Sequence, residues 1–397
     1  MSAPRLARRA AELLPSSTAA VARAAKALAA SGVDVVDFGL GEPDFPTPRF
    51  VAEAGAAAIG AGRTRYTDVS GEAALREAIA ERYAREQGAS YGRENVIVTA
   101  GAKQAVFNAC QVLFQEGDEV ALFSPHWVSF PEMIRLAGAR PLFVATDLDS
   151  GWHATAERLE RQATLRTRGV ILNSPNNPTG AVASRDEIGR LLEWCADRDA
   201  VLIFDETYDR FLYDARPHVS AAAFPEHRAR VVVTGAASKT YAMTGWRLGW
   251  AAGPREVIEA MTSYQSHSTS NASSISQAAV LAALKDPART EESVAAMLDQ
   301  YKRRRRTMIE GLLRIPGVRA AWPEGSFYAF ADVSALFARK KAAGSAEFCD
   351  RLLREAHVAT VSGDAFGNDR CLRLSFATGI ERVEEGVRRL AEWVASG

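Results

Sequence analysis

The sequence predicts an α/β chain: a large unit built on a mostly parallel, seven-stranded sheet between helices, followed by a smaller α+β unit. Three observations carry this. Short β-branched runs such as Val170–Leu172 and Val231–Val233 lack the alternation of a half-exposed strand, so both of their faces are buried. From about residue 49 such runs alternate with helix-length stretches. At 397 residues the chain exceeds what a single core supports, so a second unit is expected.

Taken in order, Ser16-Ser-Thr18 before the alanine-rich run 19–30 has the look of an N-cap and a short helix. Val33 to Leu40 alternates apolar and polar residues, then enters Gly41-Glu-Pro-Asp-Phe-Pro-Thr-Pro48. Three prolines there forbid regular structure and fix an extended, rigid loop. Helices are expected over 49–61, 72–88 and 102–115. Strands are expected at 96–99, 120–123, 141–144, 170–173, 201–204, 231–234 and 248–251. A long helix near 285–314 leads to strands at 326–331 and 371–376 and helices at 344–356 and 380–395. The expected division is an N-terminal arm with part of the small unit (1–48), a large unit (49–290) and a C-terminal small unit (291–397).

Composition excludes several function classes. Lys plus Arg and Asp plus Glu both number 48, so no field of one sign recruits nucleic acid or an anionic membrane. The basic run Lys302 to Arg306, set among Asp299 and Glu310, reads as a solvated helix face. No segment approaches the roughly 20 apolar residues of a membrane span, and Glu12 and Pro15 interrupt the basic start before any signal-peptide core. Four widely spaced cysteines (Cys110, Cys195, Cys349, Cys371) indicate buried thiols in a reducing compartment, with the cytoplasm as the default. Six scattered histidines lack metal-ligand spacing, so no metal is expected.

Ligands of open α/β sheets bind at the carboxyl ends of the strands. Gly101, Ala102 and Lys103 follow the first strand and open a helix, which makes an anion site or a plain turn. Trp127 follows the second of these strand ends, as a stacking ring or a packing one. Asn176 and Asn177 lie between two prolines after 170–173. Asp205 ends the run 201–204 with Tyr208 three residues on, and an acid there needs a cation or serves as a helix N-cap. Ser238 and Lys239 follow 231–234, with Arg247 eight residues beyond Lys239. Alone, Lys239 reads as a surface residue on a strand-to-helix loop. With the other strand ends it completes the set that a pyridine aldehyde phosphate needs: an imine-forming lysine, an acid for the ring nitrogen, a phenol and an amide for the ring oxygen, an indole to stack, and amides with Arg247 for the phosphate.

The motifs then carry a resemblance over nearly the whole chain. Ser174-Pro-Asn-Asn-Pro-Thr-Gly180, Asp205-Glu-Thr-Tyr208, Ser238-Lys239, Met243-Thr-Gly-Trp-Arg247 and Arg373-Leu-Ser375 resemble, in order and spacing, the class I aminotransferases of fold-type I, which use pyridoxal 5'-phosphate. The resemblance implies Lys239 as the imine-forming residue and proton shuttle, Asp205 on the pyridine nitrogen, and Asn177 with Tyr208 on the ring oxygen. It implies Arg373 as the bidentate clamp on the substrate α-carboxylate. Tyr66 matches the tyrosine that reaches the phosphate of a partner subunit, which implies a homodimer with shared sites.

Pro15-Ser-Ser-Thr18, Gly41-Glu-Pro-Asp-Phe45 and Gly101-Ala-Lys-Gln-Ala105 are similar to the bacterial aspartate aminotransferase subgroup, some members of which accept prephenate. That implies Gly41, Trp127, Asn177 and Arg373 around the substrate, and Lys103 on its distal carboxylate with help from Thr18. Two departures stand out: His126, where the subgroup usually has tyrosine beside the substrate pocket, and Ala236, where distant relatives place a phosphate-binding serine. The expected activity is ping-pong transamination between aspartate and 2-oxoglutarate. A prephenate, aromatic or other aminotransferase, and a pyridoxal-phosphate lyase or oxidase, remain open at this point. No G-x-S-x-G elbow, no Walker lysine and no full G-x-G-x-x-G is present, which argues against a hydrolase or dehydrogenase.

Overall fold

The computed structural model describes residues 4–11, 13 and 17–396, without the side chains of residues 8, 9 and 17–19. After a two-residue strand β1 (Val36–Asp37), seven strands build the main sheet: β2 (Val96–Thr99), β3 (Glu119–Ser124), β4 (Arg140–Ala145), β5 (Thr167–Asn173), β6 (Val201–Asp205), β7 (Val231–Ala236) and β8 (Gly249–Ala252). Their spatial order is β2-β8-β7-β6-β5-β3-β4. Strands β7, β6, β5, β3 and β4 run parallel, while β8 lies antiparallel to both β7 and β2. The reversal is local: β8 returns directly from β7 after the turn that carries Lys239, with no crossover helix to restore direction.

The β-branched runs form this sheet because both faces are covered. Ile97, Val120, Leu122, Ile171, Ile203 and Val232 point into one core together with Ala105, Val106 and Cys110 of the helix Ala102–Leu113. Their neighbours in sequence, such as Ala121, Val170, Leu202 and Val233, point into the opposite core with Ile188, Leu191 and Cys195 of the helix Arg185–Asp197. One residue's shift along a strand thus exchanges one apolar environment for another, which is why no alternation shows.

A further core gathers around an antiparallel sheet of β12 (Val361–Ser362), β13 (Cys371–Ser375), β10 (Tyr328–Asp332) and β9 (Arg319–Ala320). Strand β1 joins it from the other end of the chain, pairing in parallel with β11 (Val358–Ala359). Of the expected alternating run 33–40, only Val36–Asp37 is strand. The helix Pro287–Leu313 starts on an Asp286 cap that accepts from the Arg289 amide, and its Val294, Met297, Tyr301 and Met308 line this core.

The reading of Lys302–Arg306 as a solvated face needs correction. Lys302, Arg303 and Arg306 are exposed, but Arg304 and Arg305 are buried and paired with Asp44 and Asp214. Helical geometry puts consecutive residues about 100° apart, so a run of five cannot share one face.

Ile203 is fully buried at the middle of the sheet. Ile203→Ala should therefore cost about 2–5 kcal/mol, read as a lower midpoint in urea unfolding with an unchanged slope.

Candidate active site

Where β5, β6 and β7 end, the chain leaves a recess of about 450 Å³, closed on the far side by residues of the second core. Its lining includes Gly41, Ala102, Lys103, Trp127, Asn177, Asp205, Tyr208, Ser238, Lys239, Arg247 and Arg373. Eleven residues expected from sequence are thus brought to one cavity, and Gly101 lies in its wall through Arg247.

Two carbonyls and an amide hold the cations in place. Arg373, on β13, is almost wholly buried. Its Nη1 donates to Asn177 Oδ1 at 3.1 Å and its Nη2 to the Gly39 carbonyl at 2.7 Å, while Nε has no partner. The Tyr328 and Phe366 rings lie under its plane at 4.5 and 5.1 Å. Lys239 donates to the Gly41 carbonyl. Burial lowers the Lys239 pKa to about 8, with Glu42 opposing the shift and Arg373 and Arg247 adding to it. Burial also lowers the Lys103 pKa, helped by Arg247, and its Nζ sits 4.9 Å from the Trp127 ring centre. Arg247 spends its hydrogen bonds on the carbonyls of Thr244 and Ala100. Among the described residues, none of these hydrogen bonds goes to a carboxylate. A set of desolvated cations without anions is costly unless a ligand supplies the negative charge.

The acid is equally solitary. Asp205 ends β6, and both hydrogen bonds to its side chain go to Oδ1, from the Thr207 amide at 3.0 Å and the Thr207 hydroxyl at 2.7 Å. Burial raises its pKa to about 6, although the Thr207 bonds and Lys239 pull the other way. A protonated ring nitrogen is a partner that would restore its charge. Tyr208 shares a 2.9 Å hydrogen bond with Tyr328, and Asn177, whose oxygen faces Arg373, keeps its Nδ2 hydrogens for a ligand. Asn176 instead closes the turn by accepting from Thr179.

A phosphate cradle lies opposite. Gly101 has φ +90°, and a Cβ there would stand 2.8 Å from Arg247 Nη2. The Gly101 amide is spent on the Thr99 carbonyl, but those of Ala102 and Lys103 begin the helix and are free of intrahelical bonds. The residues therefore fit pyridoxal phosphate: an anion cradle, a stacking indole, an unpaired acid and a depressed lysine surround one cavity. Ala236 also lines it, so a phosphate there rests on helix amides, Ser238 and Arg247.

Three expected residues stand apart. Tyr66 is 90% exposed beside Asn271 and Ser273, away from the recess. The Thr18 side chain lies outside the described residues, although Ala22 of the same helix lines the recess. His126 does not line it either. Its ring stacks on Phe143 at 5.2 Å in an adjoining chamber of about 1100 Å³, and its amide donates to the Phe366 carbonyl at 3.0 Å. Burial holds it neutral, with a pKa of about 4. Lys103 and Arg247 line both spaces.

Tyr328, Asn173 and Gly249 were missed from sequence. Asn173 Oδ1 accepts from the Asn177 amide and its Nδ2 donates to the Asp205 carbonyl, tying two strand ends together. A Cβ on Gly249 would run into the backbone of Gly101 and Ala102. The second glycine of Gly245-Trp-Arg-Leu-Gly249 was the available signal. Among the described residues, no cluster suits a metal ion, and no helix is long and apolar enough to cross a membrane.

Gly249→Ala should weaken cofactor binding about tenfold or more, measured by fluorescence titration, with little change in overall secondary structure. In the cofactor-free chain, Lys239 should react with an amine reagent with a pH midpoint near 8, against the ordinary 10.5, because it is protonated and unreactive below that midpoint.

Comparison with known proteins agrees with this geometry. The profile of the family described as aminotransferase class I and II matches residues 33–390. The aspartate aminotransferase of Geobacillus stearothermophilus is 41% identical over 97% of this chain and 98% of its own. The aspartate/prephenate aminotransferase of Thermus thermophilus is 42% identical over 97% and 98%. Among solved structures, the Thermus thermophilus aspartate aminotransferase with maleate superposes with a TM-score of 0.94 at 40% identity, over 98% of this chain and all of that one. The Rhizobium meliloti aspartate aminotransferase gives 0.93 at 37% identity, over 99% of each. With its motifs gathered at one recess and its full length matched by such relatives, the chain belongs to the class I and II aminotransferases.

Proposed function

We propose that the protein binds pyridoxal 5'-phosphate through Lys239 and transfers the amino group of aspartate to 2-oxoglutarate by a ping-pong route. The observation that carries the reading is the buried guanidinium of Arg373, without a carboxylate partner, facing the same recess as Lys239 and Asp205.

The cofactor, when bound, supplies an electron sink for the carbanion left when an amino acid loses its Cα proton. Arg373 holds the α-carboxylate, which fixes the Cα–H bond relative to Lys239. With its pKa near 8, Lys239 Nζ both accepts and returns a proton near neutral pH. Asp205 holds the proton of the ring nitrogen. Asn177 and Tyr208 bind the ring oxygen, and Trp127 covers the ring face. The Ala102 and Lys103 amides, Ser238 and Arg247 hold the phosphate.

Acidic substrates are supported by Lys103, a desolvated cation at the junction of the recess and the adjoining chamber. The relatives named for aspartate and prephenate, and a neighbour solved with the dicarboxylate maleate, point the same way. The adjoining chamber leaves room for a bulkier donor pair such as glutamate with prephenate, which is the second reading. The exposure of Tyr66 supports a homodimer in which this ring reaches the second copy's phosphate. Four buried free thiols support a reducing compartment such as the cytoplasm.

Purified protein should show the absorbance of bound cofactor, lost in Lys239→Ala; a colourless protein that stays inactive with added cofactor would defeat the reading. Lys103→Ala should raise KM for aspartate about tenfold while leaving an apolar donor nearly unchanged. An equal effect on both donors removes the acidic preference.

A further inference from the structure

The segment Gly39–Thr47 touches both halves of the site yet has almost no hold of its own. It contains no helix or strand, and no backbone–backbone hydrogen bond is donated by residues 40–47. What it carries is functional: its Gly39 carbonyl accepts from Arg373 and its Gly41 carbonyl from Lys239. Side chains hold it instead. Glu42 accepts from the Thr244 hydroxyl at 2.9 Å, and Thr47 Oγ1 donates to the Ala242 carbonyl at 2.8 Å while accepting from Trp246 Nε1 at 3.1 Å. Those three contacts tie it to the Lys239–Arg247 turn.

One contact comes from the other side. Arg304, on the helix Pro287–Leu313, donates from Nη1 to Asp44 Oδ1 at 2.7 Å. Its side chain is 8% exposed, against 28% for Asp44. Its guanidinium lies over the Phe45 ring at 5.2 Å and the Tyr301 ring at 5.6 Å, and those two rings meet edge to face. The arginine thus reaches out of the second core to grip two consecutive residues of the segment, one by charge and one by stacking.

We propose that Arg304 is a positioning residue of the active site, which pins Asp44 and Phe45 so that the Gly39 carbonyl orients the Arg373 guanidinium. The proposal rests on the assignment of Arg373 to the substrate carboxylate. The guanidinium has donors to spare, and a carbonyl fixed at 2.7 Å decides which edge is turned to the recess. If the strap drifts, that orientation is lost and the α-carboxylate of every donor binds less well. Arg305 provides the natural control. It is equally buried, pairs with Asp214 through Nη1 and Nη2 at 3.2 and 2.9 Å, and stacks on Tyr213 and Trp322, but it makes no contact with the strap.

The test compares Arg304→Met, Asp44→Asn and Arg305→Met in the full chain by amide hydrogen exchange and steady-state kinetics. Arg304→Met and Asp44→Asn should speed exchange over residues 39–47 about tenfold and raise KM for every donor alike, about fivefold, with kcat within about twofold. Arg305→Met should lower thermal stability by a similar amount while leaving the exchange of 39–47 and KM as in the wild type. Asp44 is half outside, so Asp44→Asn keeps the test alive if Arg304→Met does not fold. Wild-type exchange over 39–47 in the strap variants, or equal KM effects in all three proteins, would overturn the proposal. An inactive wild type would instead defeat the proposed function, and the exchange measurement tells the two failures apart.

Discussion

Much of the structure depends on keeping the Arg373 guanidinium inside the protein without a carboxylate. Such a charge is tolerable only where fixed dipoles and π faces replace water. Here the dipoles are the Gly39 carbonyl and the Asn177 amide, and the faces are Tyr328 and Phe366. Those four partners come from the N-terminal strap, the main sheet and the second sheet's neighbourhood. A single cation therefore requires both cores and the strap between them to be built and docked. The arrangement leaves the charge satisfied enough to fold and hungry enough to bind an anion.

The same logic runs through the rest of the recess. Lys239 is depressed and Asp205 raised by one cause, burial, although their charges are opposite. Each would be relieved by the group the other helps to bind. The main sheet makes this possible because its strand ends are rigid and lie side by side, so Asn177, Asp205 and Lys239 follow directly from β5, β6 and β7. Asn173 ties two of those ends, and Gly249 lets β8 press against the phosphate cradle. The preorganisation is paid for by the packed sheet, not by the site residues themselves.

The strands and most of the helices were legible because the signals are local. A buried parallel strand announces itself by β-branched runs, and a helix by its period and its caps. Asn177, Asp205, Tyr208, Lys239 and Arg247 were legible because each follows a strand that reads clearly. Tyr328 and Asn173 were not, since an aromatic at a strand start and an asparagine at a strand end have ordinary structural uses. Arg304 and Arg305 were misjudged for a similar reason: five basic residues in a row suggest one solvated face, while a helix turns two of them inward. His126 was expected beside the substrate and stands instead against Phe143 and the Phe366 carbonyl, because chain adjacency to Trp127 says nothing about which side of the strand end a ring takes.

By itself, then, the sequence determined the sheet, the order of its strands along the chain, and the identity of the residues that the strand ends present. These depend on local preferences and on motifs whose spacing is set by single turns. Tertiary structure alone decided that Arg373, more than a hundred residues beyond Lys239, meets Asn177 and Gly39. It also decided that the strap of prolines is held by Arg304, and that Lys103 stands between two spaces. Those facts depend on how two separately buried cores dock, and no run of neighbouring residues encodes that contact.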